Sequence, residues 1–275
     1  MKSFKLIQML GVILFITACG NSGPEELSQV DQPVAAPPPD ETPCELIMGW
    51  DPWEPYQYEI ADGQVFGLDV DLLTAVVRNA DCEIKFQKGN WRDMLQHLKD
   101  GEVDMLAGAT RTPDREQFAF FSEPYRDEQF SLYIAADRLG DLEEKSFEQM
   151  LKEGLRFGVV EDFFYGDPVS SFQDDPQYQD SFDYSSIAET NISRLLNGEV
   201  DGILEDKYVG ASLIRNMNVQ DAITSHPLRL ISNPVSIMVS RASVDEELFT
   251  SINQSVQELQ TYGGIDKILA QYLSP

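Results

Sequence analysis

The chain has 275 residues, enough for about two ordinary domains, and its 42% hydrophobic content with 15 Phe, 10 Tyr and 3 Trp excludes disorder of the whole. Acidic side chains number 47 against 20 basic ones, and the formal charge of −27 argues against nucleic-acid binding and against a basic patch for anionic lipid. Net charge speaks to solubility first, so the plain reading is a solvated acidic surface; attraction of cationic ligands is the other.

In chain order, Lys2 and Lys5 precede an apolar run from Leu6 to Ile16, which leads into Ile-Thr-Ala-Cys ending at Cys19. A positive start, a short apolar stretch and small residues before the cut describe a secretory signal over residues 1–18. The run is shorter than the ~20 apolar residues of a membrane span. Its ending resembles a bacterial lipobox, which makes Cys19 the acylated first residue; an ordinary signal with an incidental cysteine is the alternative. Residues 19–43, rich in proline and polar side chains, read as a disordered tether.

Export places Cys44 and Cys82 in an oxidising compartment. Each stands just before an apolar run, ELIMGW and EIKF. If those runs are neighbouring parallel strands, the sulfurs lie side by side, and a Cys44–Cys82 disulfide is expected over two buried thiols.

Strands and helices then alternate. After ELIMGW, the apolar spacing from Leu68 to Ala80 predicts a helix, EIKFQKG a strand, Arg92 to Asp100 a helix stopped by Gly101, and VDMLAGA and FSLYIAA further strands. The pattern restarts with LRFGVV, a helix over Ile187 to Asn197, the strand VDGILED and a helix from Tyr208 to Met217. VSIMVS and an amphipathic tail from Leu248 to Tyr272, broken at Gly263-Gly264, complete it. Two alternating blocks predict two α/β lobes with parallel sheets, and ligands in such folds sit in the crevice at the carboxyl ends of strands.

In TRTPDRE, Thr112 suits a helix N-cap, Pro113 the first helical position and Asp114 the positive dipole end. This sets Arg115 just past a strand end, where its guanidinium fork and the hydroxyl of Thr110 form a carboxylate receptor; a surface ion pair is the plainer alternative. Asp206 ends VDGILED at the corresponding edge of the second block, where it could accept an ammonium group. Trp53 and Trp91 each follow a strand and could sandwich an apolar or cationic group, although each indole alone suits a core equally. His97 and His226 belong to no metal-ligand cluster or nucleophile motif, so no catalytic residue, metal or cofactor is expected.

The segments WDPWEPYQY, VFGLDVDLL, GEVDMLAGATRTPDRE, FFSEPY and LLNGEVDGILED together resemble the solute-binding protein family 3, amino-acid-binding proteins of ATP-driven importers. The resemblance runs from about Cys44 to Leu273. It implies a bilobal periplasmic-binding-protein type II fold, a Venus flytrap of two parallel-sheet lobes on a two-strand hinge. Lobe 1 would comprise 44–134 plus 235–275 and lobe 2 135–234, with hinge crossings near Tyr133–Asp137 and Leu230–Ser236. Carried over by position, Arg115 binds a ligand α-carboxylate with Thr110 and the backbone at Gly108, Asp206 takes the α-ammonium, and Trp53 and Trp91 wall the side-chain pocket. Where the family has a small turn opening lobe 2, this chain reads GVVEDFFYGD, so that Glu161 and Phe163 stand in the pocket. The expected protein is a monomeric lipoprotein held on the bilayer by Cys19 outside the cytoplasm, delivering an amino-acid-like solute to an ABC permease. The alternatives are a ligand-sensing lipoprotein for a receptor and a dehydratase-like enzyme of the same fold.

Overall fold

The computed structural model describes residues 44–230 and 232–273. The signal, Cys19 and the whole of the tether therefore lie outside the described residues. Strand β1 (Cys44–Trp50) buries Leu46, Met48 and Trp50 on alternate positions. A short hairpin, β2 (Tyr58–Glu59) and β3 (Val65–Phe66), leads into α1 (Leu68–Asn79), and β4 (Cys82–Lys88) returns beside β1. The parallel register sets Cys44 directly opposite Cys82, and the two form a disulfide, as the strand positions predict.

The chain continues through α2 (Trp91–Asp100), β5 (Met105–Thr110), the single turn α3 (Pro113–Glu116) and β6 (Ala119–Phe121) to the long β7 (Arg126–Ala135). Asn90 caps α2 by accepting from the Asp93 amide, and Gly101 ends it in the left-handed conformation, φ 78°. Next come α4 (Leu139–Leu142), α5 (Phe147–Lys152), β8 (Phe157–Val160), α6 (Asp167–Gln173), β9 (Phe182–Ser185), α7 (Ala188–Leu196), β10 (Gly202–Asp206), α8 (Lys207–Asn216) and β11 (Ile223–Ser225). β12 (Ser232–Ser240), α9 (Glu246–Thr261) and α10 (Gly264–Leu273) complete the fold, with Gly263 at the expected break.

The strands follow the order β4-β1-β5-β12-β7-β10-β8-β9. Two parallel groups, β4-β1-β5 and β9-β8-β10, stand at its ends, and the antiparallel β12 and β7 lie between them. β7 changes partner midway. Its residues 126–129 pair with β12, and its residues 130–134 pair with β10. This is the bilobal type II arrangement, with one apolar core around Met48, Leu72, Leu73 and Val239 and another around Leu132, Met150 and Phe157.

Gly67 explains the contact between WDPWEPY and α1. It sits at φ 132°, and a Cβ there would meet the Tyr56 carbonyl oxygen at 2.1 Å. The backbone approach brings Asp69, fully buried in the first turn of α1, against Tyr125 and Arg126: the Tyr125 hydroxyl donates to Asp69 Oδ1 at 2.7 Å and Arg126 Nη2 pairs with Oδ2 at 3.2 Å. Tyr125 in turn receives the Gly108 amide at 2.8 Å.

Candidate functional site

The site begins where β5 ends. Thr112 Oγ1 accepts from the Arg115 amide at 3.4 Å and Pro113 starts the turn, the capping read from TRTPDRE. Arg115 is consequently pinned beside the strand end and buried. Its Nη1 donates to the Thr110 carbonyl at 2.9 Å, and its Nη2 reaches across to the Asp162 carbonyl, after β8, at 2.8 Å. Burial pushes this guanidinium down to about 10, with Glu128 and Asp162 opposing the shift. The Thr110 hydroxyl is buried with no hydrogen-bond partner among the described residues, and the same holds for Gln57 Oε1.

Two indoles flank this corner. Trp91, the first residue of α2, donates from Nε1 to the Asp162 carbonyl at 3.2 Å, and Arg115 Cζ lies 5.4 Å from its ring centre. Trp53, in the loop after β1, donates from Nε1 to Glu205 Oε1 at 3.1 Å. Between them stands Phe163, 5.9 Å from each ring centre and edge-on at 81° and 83°. A partly open cavity here, about 370 Å³ with the solvent at its mouth included, is lined by both tryptophans, Arg115, Thr110, Asp51 and Glu128 among others.

Its electrostatics are lopsided towards acid. Burial pushes Asp51 up to about 7, against the amide of Gln57 that donates to it at 2.8 Å. Glu205 is pushed up to about 8 by burial, opposed by the Trp53 indole and the Asp206 amide. Glu128 is raised well above the ordinary carboxyl range, first by burial and then by Asp206 and Glu205, with Arg126 opposing. Asp206 is raised by burial too, held back by Arg126 and by helix N–H groups. Four carboxyl groups thus crowd a buried region whose nearby guanidiniums are Arg115 and Arg126, the second already bound to Asp69. A positively charged guest would relieve that crowding.

The model of the bacterial extracellular solute-binding proteins, family 3, matches residues 46–275. This chain belongs to that family. A probable histidine-binding protein of Neisseria gonorrhoeae is 25% identical over 95% of this chain and 91% of its own length. The arginine-binding extracellular protein ArtP of Bacillus subtilis (strain 168) is 24% identical over 100% of this chain and 99% of its own. Among solved structures, an ancestral arginine-binding protein bound to arginine superposes with a TM-score of 0.71, covering 84% of this chain and 98% of that one at 21% identity. These relatives are named as binding proteins and the family as extracellular, and among the described residues no helix is long and apolar enough to cross a membrane.

Of the side chains expected to serve a family 3 site, Trp53, Trp91, Gly108, Thr110, Arg115 and Phe163 line the one cavity. Glu161 and Asp206 are not among its lining residues. Glu161 points outward to Arg92, Nη1 to Oε2 at 3.2 Å. Asp206 is spent as the N-cap of α8, where Oδ1 accepts from the amides of Tyr208 and Val209 at 2.8 and 3.2 Å, and its Oδ2 accepts from the Tyr56 hydroxyl at 3.3 Å. The carboxyls that do line the cavity are Asp51 and Glu128, which the sequence reading missed. Glu128 had a signal. In RDEQF, the start of β7, Arg126, Glu128 and Phe130 occupy the buried alternate positions, so two charged groups stand on an apolar face.

Proposed function

We propose that this protein captures a small, positively charged amino-acid-like solute outside the cytoplasm, closes two lobes on it and delivers it to an ABC-type permease without altering it. The observation that carries the reading is the cavity itself. It pairs a buried guanidinium fork and an unpartnered Thr110 hydroxyl with the carboxyl groups of Asp51 and Glu128, between two indoles. Arg115 and Thr110 would take the α-carboxylate. Asp51 and Glu128 would take cationic groups in place of the expected Asp206, and Trp53 and Trp91 would cover the apolar stem. The names of relatives that bind arginine or histidine support a basic solute.

The lobes would part where β7 changes partner, between Gln129 and Phe130, and where the chain returns into β12, so that residues 130–134 move with the second lobe. A ligand touching both lobes favours the closed form by its differential affinity. Acylation of Cys19 would hold the assembly on a membrane, with the Pro-rich segment as tether.

A thermal-shift panel tests the reading. L-arginine, L-lysine and L-histidine should raise the melting temperature and L-glutamate should not, since a ligand that binds only the folded form stabilises it by mass action. Glu128→Gln should weaken the response to L-arginine. A panel in which L-glutamate stabilises best would reverse the assignment of charge.

A further inference from the structure

Arg115 and the two tryptophans already hold something, and it belongs to the chain itself. The Asp162 carbonyl oxygen receives both Arg115 Nη2 and Trp91 Nε1, as an oxygen of a bound carboxylate would. The Phe163 ring stands in the slot between Trp53 and Trp91. It packs against three separate apolar clusters, two from the β5 side and one from the β8 side. We propose that the Asp162–Phe163 turn is an internal surrogate ligand: it closes the lobes in the absence of solute, and an incoming solute must expel it. The inference rests on the proposed function of the same cavity.

Two further observations carry it. Arg92 clasps the same turn from outside through Glu161 and Asp162, at 3.2 and 3.4 Å. Phe163, Phe164 and Arg115 line both the inner cavity and a broader, more open groove that contains Arg92, Thr112 and Ser170. The turn is therefore the wall between an outer vestibule and the inner chamber, and its withdrawal joins the two. Solute affinity is then reduced by the fraction of molecules whose turn is out, and Phe163 sets that fraction.

Small-angle scattering of the full chain, with calorimetry using L-arginine as the probe, tests the inference. Without solute, the wild type should show the closed radius of gyration and change little when L-arginine is added. Phe163→Ala should be wider without solute, contract on adding L-arginine, and bind it at least tenfold more tightly than wild type. Phe163→Leu, which keeps an apolar side chain, should lie between them, and it decides the matter if the alanine variant fails to fold. Variants as compact as the wild type without solute, or binding L-arginine more weakly, would overturn the surrogate. Should no variant bind L-arginine, the radii without solute still judge the turn, while the basic-solute reading fails separately.

Discussion

The indole nitrogen of Trp53 donates to Glu205 Oε1 at 3.1 Å, joining the loop after β1 to the end of β10 across 152 positions of chain. Both groups are buried. Trp53→Phe keeps an aromatic ring but removes this donor, leaving Glu205 Oε1 with the Asp206 amide at 2.9 Å, so the expected cost is that of one lost hydrogen bond, about 0.5–1.5 kcal/mol. Urea unfolding should register that loss. Glu205→Leu in the same background should add little of its own if the indole bond is what was lost; a full additive cost would mean that ring packing, not the bond, sets the effect of Trp53→Phe.

Arg115 separates binding from stability less cleanly than its sequence position suggests. A surface fork could be truncated with little change in melting temperature, but this one is buried and serves two carbonyl groups. Arg115→Ala should abolish L-arginine binding in calorimetry and also lower stability by about 2 kcal/mol as those carbonyls lose a charged donor. Arg115→Lys should keep charge but not the fork, and bind at least tenfold more weakly than wild type. Wild-type affinity in either variant would remove Arg115 from the site.

Asp51 at about 7 and Glu205 at about 8 lie above the ordinary carboxyl values near 4. Each therefore binds more protons folded than unfolded as pH rises from about 4 to its folded value, so stability falls with pH across that window. The penalty of burying the ionised form is absent below about pH 4 and complete above about pH 8. Glu205→Gln should gain on the wild type in melting temperature as pH is raised from 5 to 8. A difference that stays constant over that range would contradict the shift.

Cys44 and Cys82 close a loop of sequence separation 38 between the paired strands β1 and β4. Chain-entropy reasoning gives such a link about 4 kcal/mol. Cys44→Ser with Cys82→Ser should lower the unfolding free energy by that order in urea. An unchanged midpoint would show that the sheet register alone suffices.

Much of this architecture was legible in the sequence, for physical reasons. Helices α1, α2, α7 and α8 carry apolar stripes at helical spacing. Gly101 and the Gly263-Gly264 pair mark stops, and Thr112 with Pro113 marks the turn that fixes Arg115. The short strands β9 and β11 and the helices α5 and α6 were missed, because a few residues hold too little periodicity to declare themselves. Within the site, local capping rules found Arg115, but the partners of Asp206 are set by tertiary contact. The residue after a strand is as good an N-cap as a ligand group, and here the helix took it. Asp51 gave no local signal at all; its carboxyl is raised by burial and by Glu189, brought in from afar, while the Gln57 amide opposes the shift.

The central claim is that a cationic amino-acid-like solute enters a cavity lined by Asp51, whose carboxyl burial raises to about 7, and by Glu128, raised likewise by burial. The most direct measurement is calorimetry of L-arginine binding at pH 7 in two buffers of different ionisation enthalpy. Saturable one-site heat that depends on the buffer in the sense of proton release, and a smaller release in Asp51→Asn, is the predicted result. Binding with no proton release, or no saturable heat from L-arginine, L-lysine or L-histidine, would contradict the account.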